Sequence, residues 1–336
     1  MIKAKVVRLL RPHKLVYENV TIDETLLASD EILCKTLVSA ISPGTEVSAY
    51  DGAPPLRPIK AYPRLVGYCN VAEIIAVGFG VSKYKVGQRV LTFSSHRSHF
   101  IIKTKKVLAI IPDGVSSQLA STAYLYHLGY DAVLNANIKY GSPVVVLGLG
   151  VIGLCAVTAS KLAGGKVYAI TNQNVPKQIA LKMRANEVFS RNDIPALKHS
   201  LGSRLADAVI TTSNAWHDWE LALDIAGMNG KICILGFPGR GAKDIPFNPL
   251  DSRYLYHKQL KLQAVGHAPE DNDNRQFLKF NEKDNLKFIL DEINKKNIDP
   301  SLIISGEKSW CELNETYKIL LKREGSPLTF ILNWIK

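Results

Sequence analysis

Polar and apolar side chains alternate in Lys3-Ala4-Lys5-Val6-Val7 and in Glu31-Ile32-Leu33-Cys34-Lys35-Thr36-Leu37-Val38, the period-two pattern of half-buried strands. Val71–Val77 is an apolar run that stops at Gly78-Phe79-Gly80, and Arg89–Phe93 and His99–Lys103 read as further short strands. Up to about Pro112 helical periodicity is nearly absent and turn residues recur at short spacing. This part is predicted to be a barrel- or sandwich-like β domain. Beyond Pro112 the pattern changes. Gln118–Ala132 reads as a helix, and then strands and helices alternate: strand Val144–Leu147, helix Ile152–Ala163, strand Lys166–Ile170, helix Pro176–Arg184, strand Asp207–Thr211, helix Trp216–Ala226, then strands Lys231–Leu235 and Lys261–Val265. Such alternation predicts a parallel sheet with crossover helices. From about residue 269 the pattern changes again. Asn274–Lys296 is charged but amphipathic, Trp310–Arg323 reads as a helix, and Pro327–Trp334 is an apolar strand with no βαβ context, expected to return to the first domain. The expected division is residues 1–115 with 269–336 as one domain, and 116–268 as the other.

The length, 336 residues, agrees with two domains, and 46% hydrophobic residues supply two cores. Cys34, Cys69, Cys155, Cys233 and Cys311 are scattered with no CxxC pair, so neither a disulfide framework nor a cysteine-rich zinc site is expected. Met1–Leu10 has no secretory character, and a cytoplasmic protein is expected. Ser142–Ser160 is uncharged and about long enough to cross a bilayer, but a buried strand, a glycine turn and a buried helix have the same hydropathy. The net charge is +12 and leans toward the N-terminal third. It favours an anionic substrate or a phosphate-bearing cofactor. Lys103-Thr104-Lys105-Lys106 is the densest basic run, too short and too free of aromatics to indicate nucleic-acid binding.

The strongest local motif is Val144-Val145-Val146-Leu147-Gly148-Leu149-Gly150-Val151-Ile152-Gly153, a GxGxxG between a strand and a helix. Gly148 permits the tight turn, Gly150 lets a pyrophosphate approach the backbone, and Gly153 lets helix and strand pack closely. Val151 and Ile152 open the helix whose free N–H groups face the phosphates. Thr212 and Gly236, just after the strands at 207–211 and 231–235, complete the expected cofactor set. An NAD site wants a carboxylate at the end of the second strand; here Ile170 leads into Thr171 and Asn172, with Lys177 a turn further on. Thr171, Asn172 and Lys177 can donate to a 2′-phosphate, so NADP(H) is expected over NAD(H). The alternative is that Thr171 accepts weakly from an NAD ribose.

With these residues in view, the chain resembles the medium-chain dehydrogenase/reductase superfamily over essentially its whole length. Thr45-Glu46-Val47-Ser48-Ala49-Tyr50-Asp51-Gly52, Pro63-Arg64-Leu65-Val66-Gly67, Val77-Gly78-Phe79-Gly80-Val81 with Tyr84–Val90, and Gly230–Gly236 match the superfamily's segments in order. The resemblance implies a doubly wound parallel Rossmann sheet plus a β-rich GroES-like catalytic domain, and a homodimer paired through the edge strand Lys261–Val265. The departures concern zinc. The first ligand position falls on Pro43 or Ser42, Gly-His-Glu has become Gly67-Tyr68-Cys69, and the third position falls near Tyr124. The four-cysteine lobe is missing between Val90 and Pro112. No metal is therefore expected, despite the His96-x-x-His99 spacing.

Without zinc, other groups must polarise the reacting oxygen. Thr45 matches the superfamily's proton-passing hydroxyl. Tyr68, in place of a ligand, is expected to donate to a developing alkoxide or enolate, with Ser42 assisting. Glu46 is expected to orient Thr45 or pair with a base, and His96 or His99 to act as general acid or base. Cys69 reads as a small apolar filler. The Ser42–Glu46 stretch resembles zinc-lacking threonine- or bacteriochlorophyllide-dehydrogenase-like members. The expected function is thus zinc-independent, NADP(H)-dependent hydride transfer on a secondary alcohol or ketone, in biosynthesis. An alkene or quinone reductase and a non-catalytic NADP(H)-binding protein are the alternatives.

Overall fold

The computed structural model describes residues 1–55, 59–240, 244–245 and 247–335. The chain divides into two compact units, Met1–Tyr124 with Glu270–Lys336, and Leu125–Pro269.

In the first unit, strands Ile2–Arg11 and Lys14–Ile22 form a long antiparallel hairpin, extended by the short strand Arg64–Leu65. A seven-stranded sheet runs in the order Ile304–Ser309, Thr329–Asn333, Glu31–Ala40, Cys69–Val77, Arg89–Thr92, Val107–Ile110, with His99–Lys103 also pairing on Glu31–Ala40. The apolar strand near the C-terminus does return to this unit: Leu332 lies opposite Ser39 and Asn333 opposite Val38. Its side chains close a core with Val7, Leu9, Ile41, Val47, Tyr50, Leu313 and Tyr317. A second core gathers Ile32, Cys34, Ile74, Tyr84, Val90 and Phe100.

In the second unit all six strands are parallel. Their order is Glu187–Phe189, Lys166–Ile170, Pro143–Leu147, Ala206–Thr211, Ala226–Ile234, Lys261–Ala264. Numbered within the unit this is 3-2-1-4-5-6, the doubly wound order whose direction reverses between the first and fourth strands. Lys261–Ala264 is an edge strand. The uncharged run 142–160 resolves into strand Pro143–Leu147, a glycine turn and helix Val151–Leu162. Among the described residues no helix is long and apolar enough to cross a membrane.

Three expectations are corrected. The segment after Pro112 forms two helices, Ser117–Ser121 and Ala123–Ala136, separated at Thr122, whose hydroxyl donates to the Leu119 carbonyl. The first of them packs on the sheet of the first unit, which moves the boundary from 115/116 to 124/125. The amphipathic segment from Asn274 is helical only over Glu282–Asn294, where Asn281 accepts the Asp284 N–H as the cap. Phe277 and Phe280 precede that cap and are exposed, while Ile289 and Ile293 are buried.

Helix Ala123–Ala136 buries His127. Burial pushes its imidazole down to about 4, against the pull of the Asp131 carboxylate. An unfolded imidazole titrates near ~6.5. The fold therefore excludes a proton that the unfolded chain accepts between these values, and stability is lost as pH falls through that window. Denaturant unfolding at pH 7 and near pH 4 checks this: the wild type is expected to lose stability on acidification, and His127→Gln to lose distinctly less.

Candidate functional site

The second unit carries a glycine turn at the reversal point of its sheet. Strand Pro143–Leu147 ends at Gly148, whose φ of +87° turns the chain into helix Val151–Leu162. Gly150 is the N-cap, makes no side-chain cap, and has open space where a Cβ would stand. Val151 and Ile152 supply the first helical turn. A Cβ on Gly153 would lie 1.9 Å from the Gly148 carbonyl oxygen, so only glycine brings the helix this close to the turn. Thr212 braces the turn: its N–H donates to the Leu147 carbonyl at 2.9 Å and its hydroxyl to the Gly148 carbonyl at 2.8 Å. Gly236 packs against the Thr212 backbone. A helix N-terminus with free N–H groups beside an open glycine turn fits a dinucleotide pyrophosphate.

At the end of strand Lys166–Ile170, Thr171 is buried, and its hydroxyl accepts the Gln173 N–H at 3.1 Å. Thr171 thus shapes the loop as well as offering a hydroxyl proton. Asn172 is exposed and its Oδ1 accepts the Arg191 N–H at 2.8 Å. Lys177 is exposed on helix Asn174–Lys182. Arg191, which sequence reasoning missed, stands beside Asn172 with its guanidinium in two 2.7 Å hydrogen bonds to the buried Asp218. Burial works against the Asp218 charge, but the hydrogen bonds from Arg191 and Ser213 outweigh it and hold the carboxyl below its ordinary range. No periodicity marks Arg191, because it lies in the loop after the short strand Glu187–Phe189.

The first unit gathers hydroxyls. Strand Glu31–Ala40 runs into the helical turn Pro43–Val47, which begins after Ser42 and presents Thr45 at the surface. Tyr68 immediately precedes strand Cys69–Val77, and its phenol donates to Ser42 Oγ at 2.5 Å. Burial, then the nearby Cys69 and Glu46, hold the Tyr68 proton well above the ordinary phenol range, and hydrogen bonding with Ser42 and Thr45 only partly opposes this. The phenol is therefore a proton-bearing donor at neutral pH. Phe93 stacks on Tyr68 with ring centroids 5.2 Å apart, and Tyr124 meets the edge of both rings. The Tyr124 hydroxyl donates to Glu282 Oε2 at 2.7 Å. Phe93 is 52% exposed, so the cluster has an open aromatic face.

Behind these hydroxyls lies a buried carboxylate. Glu46 Oε1 accepts the Ser42 N–H at 2.7 Å, while Oε2 faces His96 Nε2 at 2.8 Å and accepts the Tyr317 phenol at 2.5 Å. His96 Nδ1 meets Ser39 Oγ at 2.8 Å, and Ser39 Oγ also accepts the Trp334 indole N–H at 2.9 Å. Facing a carboxylate oxygen, Nε2 carries a proton. His96 is 0% exposed with both ring nitrogens engaged, which corrects the expectation of a directly acting acid or base. His99, half-buried on strand His99–Lys103, turns its Nδ1 to Ser98 and does not converge with His96. Glu46 pairs with His96 and holds the Ser42 amide. Tyr317, Ser39 and Trp334 were missed because they read as core positions, and Tyr317 is 271 residues from its partner.

Comparison with known proteins agrees with this architecture. The family described as zinc-binding dehydrogenase matches residues 151–282. Sorbitol dehydrogenase of Bacillus subtilis (strain 168) is 24% identical over 253 residues, covering 65% of this chain and 71% of that protein. L-threonine 3-dehydrogenase of Vibrio cholerae serotype O1 (strain O395) is 25% identical over 270 residues, 70% of this chain and 78% of that protein. The crystal structure of 2R,3R-butanediol dehydrogenase from Bacillus subtilis superposes with a TM-score of 0.80 at 17% identity, covering 98% of this chain and 99% of that one. These matches support the medium-chain dehydrogenase/reductase superfamily. The fold is that superfamily's.

The superfamily's zinc members take thiolate, imidazole and carboxylate ligands. Around the positions that the resemblance matches to those ligands, Pro43 or Ser42, Tyr68 and Tyr124, this chain brings together a hydroxyl and two phenols, which do not fit a tetrahedral zinc. Among the described residues no group of three or more His, Cys, Asp and Glu side chains is placed to hold a metal ion.

Gly67 makes the buried network possible. Its φ is +86°, and a Cβ there would lie 2.6 Å from the His96 ring, which Glu46 and Ser39 hold from both sides. Gly67→Ala is expected to destabilise the protein by about 3 kcal/mol. Gly44→Ala, where a Cβ meets nothing within 4 Å, is expected to stay within about 0.5 kcal/mol. Denaturant midpoints of the two variants check the pair.

Proposed function

We propose that the protein is a zinc-independent, NADP(H)-dependent oxidoreductase that interconverts a secondary alcohol and a ketone. The observation that carries this reading is the Tyr68–Ser42 hydroxyl pair, with Thr45 beside it; the resemblance matches Tyr68, and Pro43 or Ser42, to metal-ligand positions of zinc-dependent members. The dehydrogenase relatives support secondary-alcohol chemistry.

A bound nicotinamide supplies or accepts the hydride. In the direction of ketone reduction, Tyr68 keeps a proton on its phenol oxygen and donates it toward the substrate oxygen as negative charge develops there. Ser42 accepts from Tyr68 in the resting site and fixes the line along which the phenol oxygen is held. Thr45, exposed next to the phenol, passes the replacement proton from outside. Phe93 and Tyr124 wall the phenol with rings and limit water around it. In the second unit, the glycine turn holds the pyrophosphate. The preference for NADP(H) rests on the absence of a carboxylate at Thr171-Asn172, with Lys177 a turn further on adding positive charge. The +12 net charge favours an anionic substrate. We also place a homodimer contact at the edge strand Lys261–Ala264, and a cytoplasmic, biosynthetic role completes the reading.

Paired titrations of metal-stripped protein with NADPH and NADH, read by energy transfer from tryptophan to nicotinamide, test the cofactor. Tight NADPH and weak NADH binding are expected; preference for NADH overturns the cofactor assignment, and binding of neither overturns the enzyme. A carbonyl screen follows, in which Tyr68→Phe is expected to lower kcat by about 100-fold. An enone among the substrates separates carbonyl from alkene reduction: the allylic alcohol is the expected product, and the saturated ketone identifies an alkene reductase.

A further inference from the structure

We propose that Tyr317 is a positioning residue for the reacting hydroxyls: its phenol fixes the Glu46 carboxylate, and Glu46 fixes Ser42 and, through it, Tyr68. The inference rests on the reading of Tyr68 as the oxyanion donor.

Helix Leu313–Lys322 lies against the turn that carries Thr45 and reaches it at two points. Tyr317 donates to Glu46 Oε2 at 2.5 Å, and the Tyr50 phenol donates to Asn314 Oδ1 at 2.9 Å, with the Tyr50 and Tyr317 rings edge-on at 5.3 Å. Tyr50 ends the short helix Ser48–Tyr50 that continues the Pro43–Val47 turn. The contact with Glu46 is wholly buried, and both Tyr317 and Glu46 belong to an environment without bulk water. Burial and the Glu46 charge hold the proton on Tyr317, so it serves as a fixed donor.

The geometry of the carboxylate explains why this matters at Tyr68. Oε2 has two donors, His96 and Tyr317, arriving from different elements, and they set the plane of the carboxylate. Oε1 is then turned to the Ser42 amide, which it accepts at 2.7 Å. That bond holds the residue whose hydroxyl accepts from Tyr68. Loss of the Tyr317 hydroxyl leaves Oε2 with a single donor, frees the carboxylate to rotate about His96, and releases the Ser42 amide. The groups facing Tyr68 are Cys69, the residue after it, Ser42, Thr45 and Glu46 at the neighbouring turn, and Tyr124 with its partner Glu282. The Thr45 and Glu46 N–H groups also donate to the Ser42 carbonyl, at 3.1 and 2.8 Å, but the acceptor of the Ser42 amide is Glu46 Oε1.

Crystal structures of the wild type and Tyr317→Phe, with steady-state kinetics on the substrate found by the carbonyl screen, test the proposal. In Tyr317→Phe the Ser42 Oγ–Tyr68 Oη separation is expected to exceed hydrogen-bond reach, about 3.2 Å. The kcat is expected to fall about tenfold with KM and NADPH affinity unchanged, and Tyr317→Phe is expected to cost nothing further in the Tyr68→Phe background. A retained short Ser42–Tyr68 contact, or an equal loss of kcat in both backgrounds, overturns the proposal. Should Tyr317→Phe not fold, 3,5-difluorotyrosine at position 317 keeps the ring and strengthens the donor. A changed kcat at constant KM then supports the proposal, and an unchanged kcat overturns it. Equal activity of wild type and Tyr68→Phe would instead overturn the role given to Tyr68, while the Ser42–Tyr68 separation still decides whether Tyr317 positions Ser42.

Discussion

A carboxylate removed from water must be given donors, and the buried Glu46 draws them from three separate parts of the chain. The Ser42 amide comes from its own turn, the His96 imidazole from the loop after strand Arg89–Thr92, and the Tyr317 phenol from the helix before the last strand. Each hydrogen bond to a charged, buried acceptor is worth roughly 1.5–3 kcal/mol, and an unmet one costs at least as much. The turn bearing Thr45, the loop bearing His96 and the helix bearing Tyr317 are therefore bound into one arrangement. The Ser42 and Tyr68 hydroxyls inherit their positions from it.

The same constraint accounts for features that look unrelated. Gly67 is needed because the His96 ring occupies the space a side chain would fill. Ser39 is polar within an otherwise apolar strand end because His96 Nδ1 and the Trp334 indole both require it. Trp334 in turn stacks on Trp310 at 5.3 Å, which joins the last strand to the start of the helix carrying Tyr317. A polar chain thus runs through an apolar core, and each member is satisfied by the next. This is the condition under which buried polar groups rigidify a structure rather than weaken it.

What was legible in the sequence was local. The glycine turn, its strand and its helix lie within twenty residues, so spacing alone carried that unit, and the alternation of strands and helices after it carried the parallel sheet. The strand 329–333 was recognisable as a return because an apolar run without a crossover has few other places to go. The long-range pairings were not legible. Tyr317 sits on the buried face of an amphipathic helix beside Leu313 and Leu320 and looks like packing; His96 in a short serine-rich loop looks like an exposed base. Their chemistry exists only once Glu46 is beside them. The two halves of helix 117–136 and the late start of helix 282–294 were hidden for a different reason, since hydroxyl and amide caps interrupt a helix without breaking its hydrophobic period.

The discontinuity of the first unit also has a consequence for synthesis. Glu46 leaves the ribosome 271 residues before Tyr317, with the whole of the second unit made in between. At a typical elongation rate of about 5–20 residues per second, that interval is on the order of 10 to 60 seconds. Throughout it the Glu46 carboxylate has the Ser42 amide and the His96 ring available but not the Tyr317 phenol, and water must serve in that third place. The nascent first half therefore waits with its buried network one donor short, while the second unit can complete its sheet, and the network closes only when the later helix and strand arrive to displace that water.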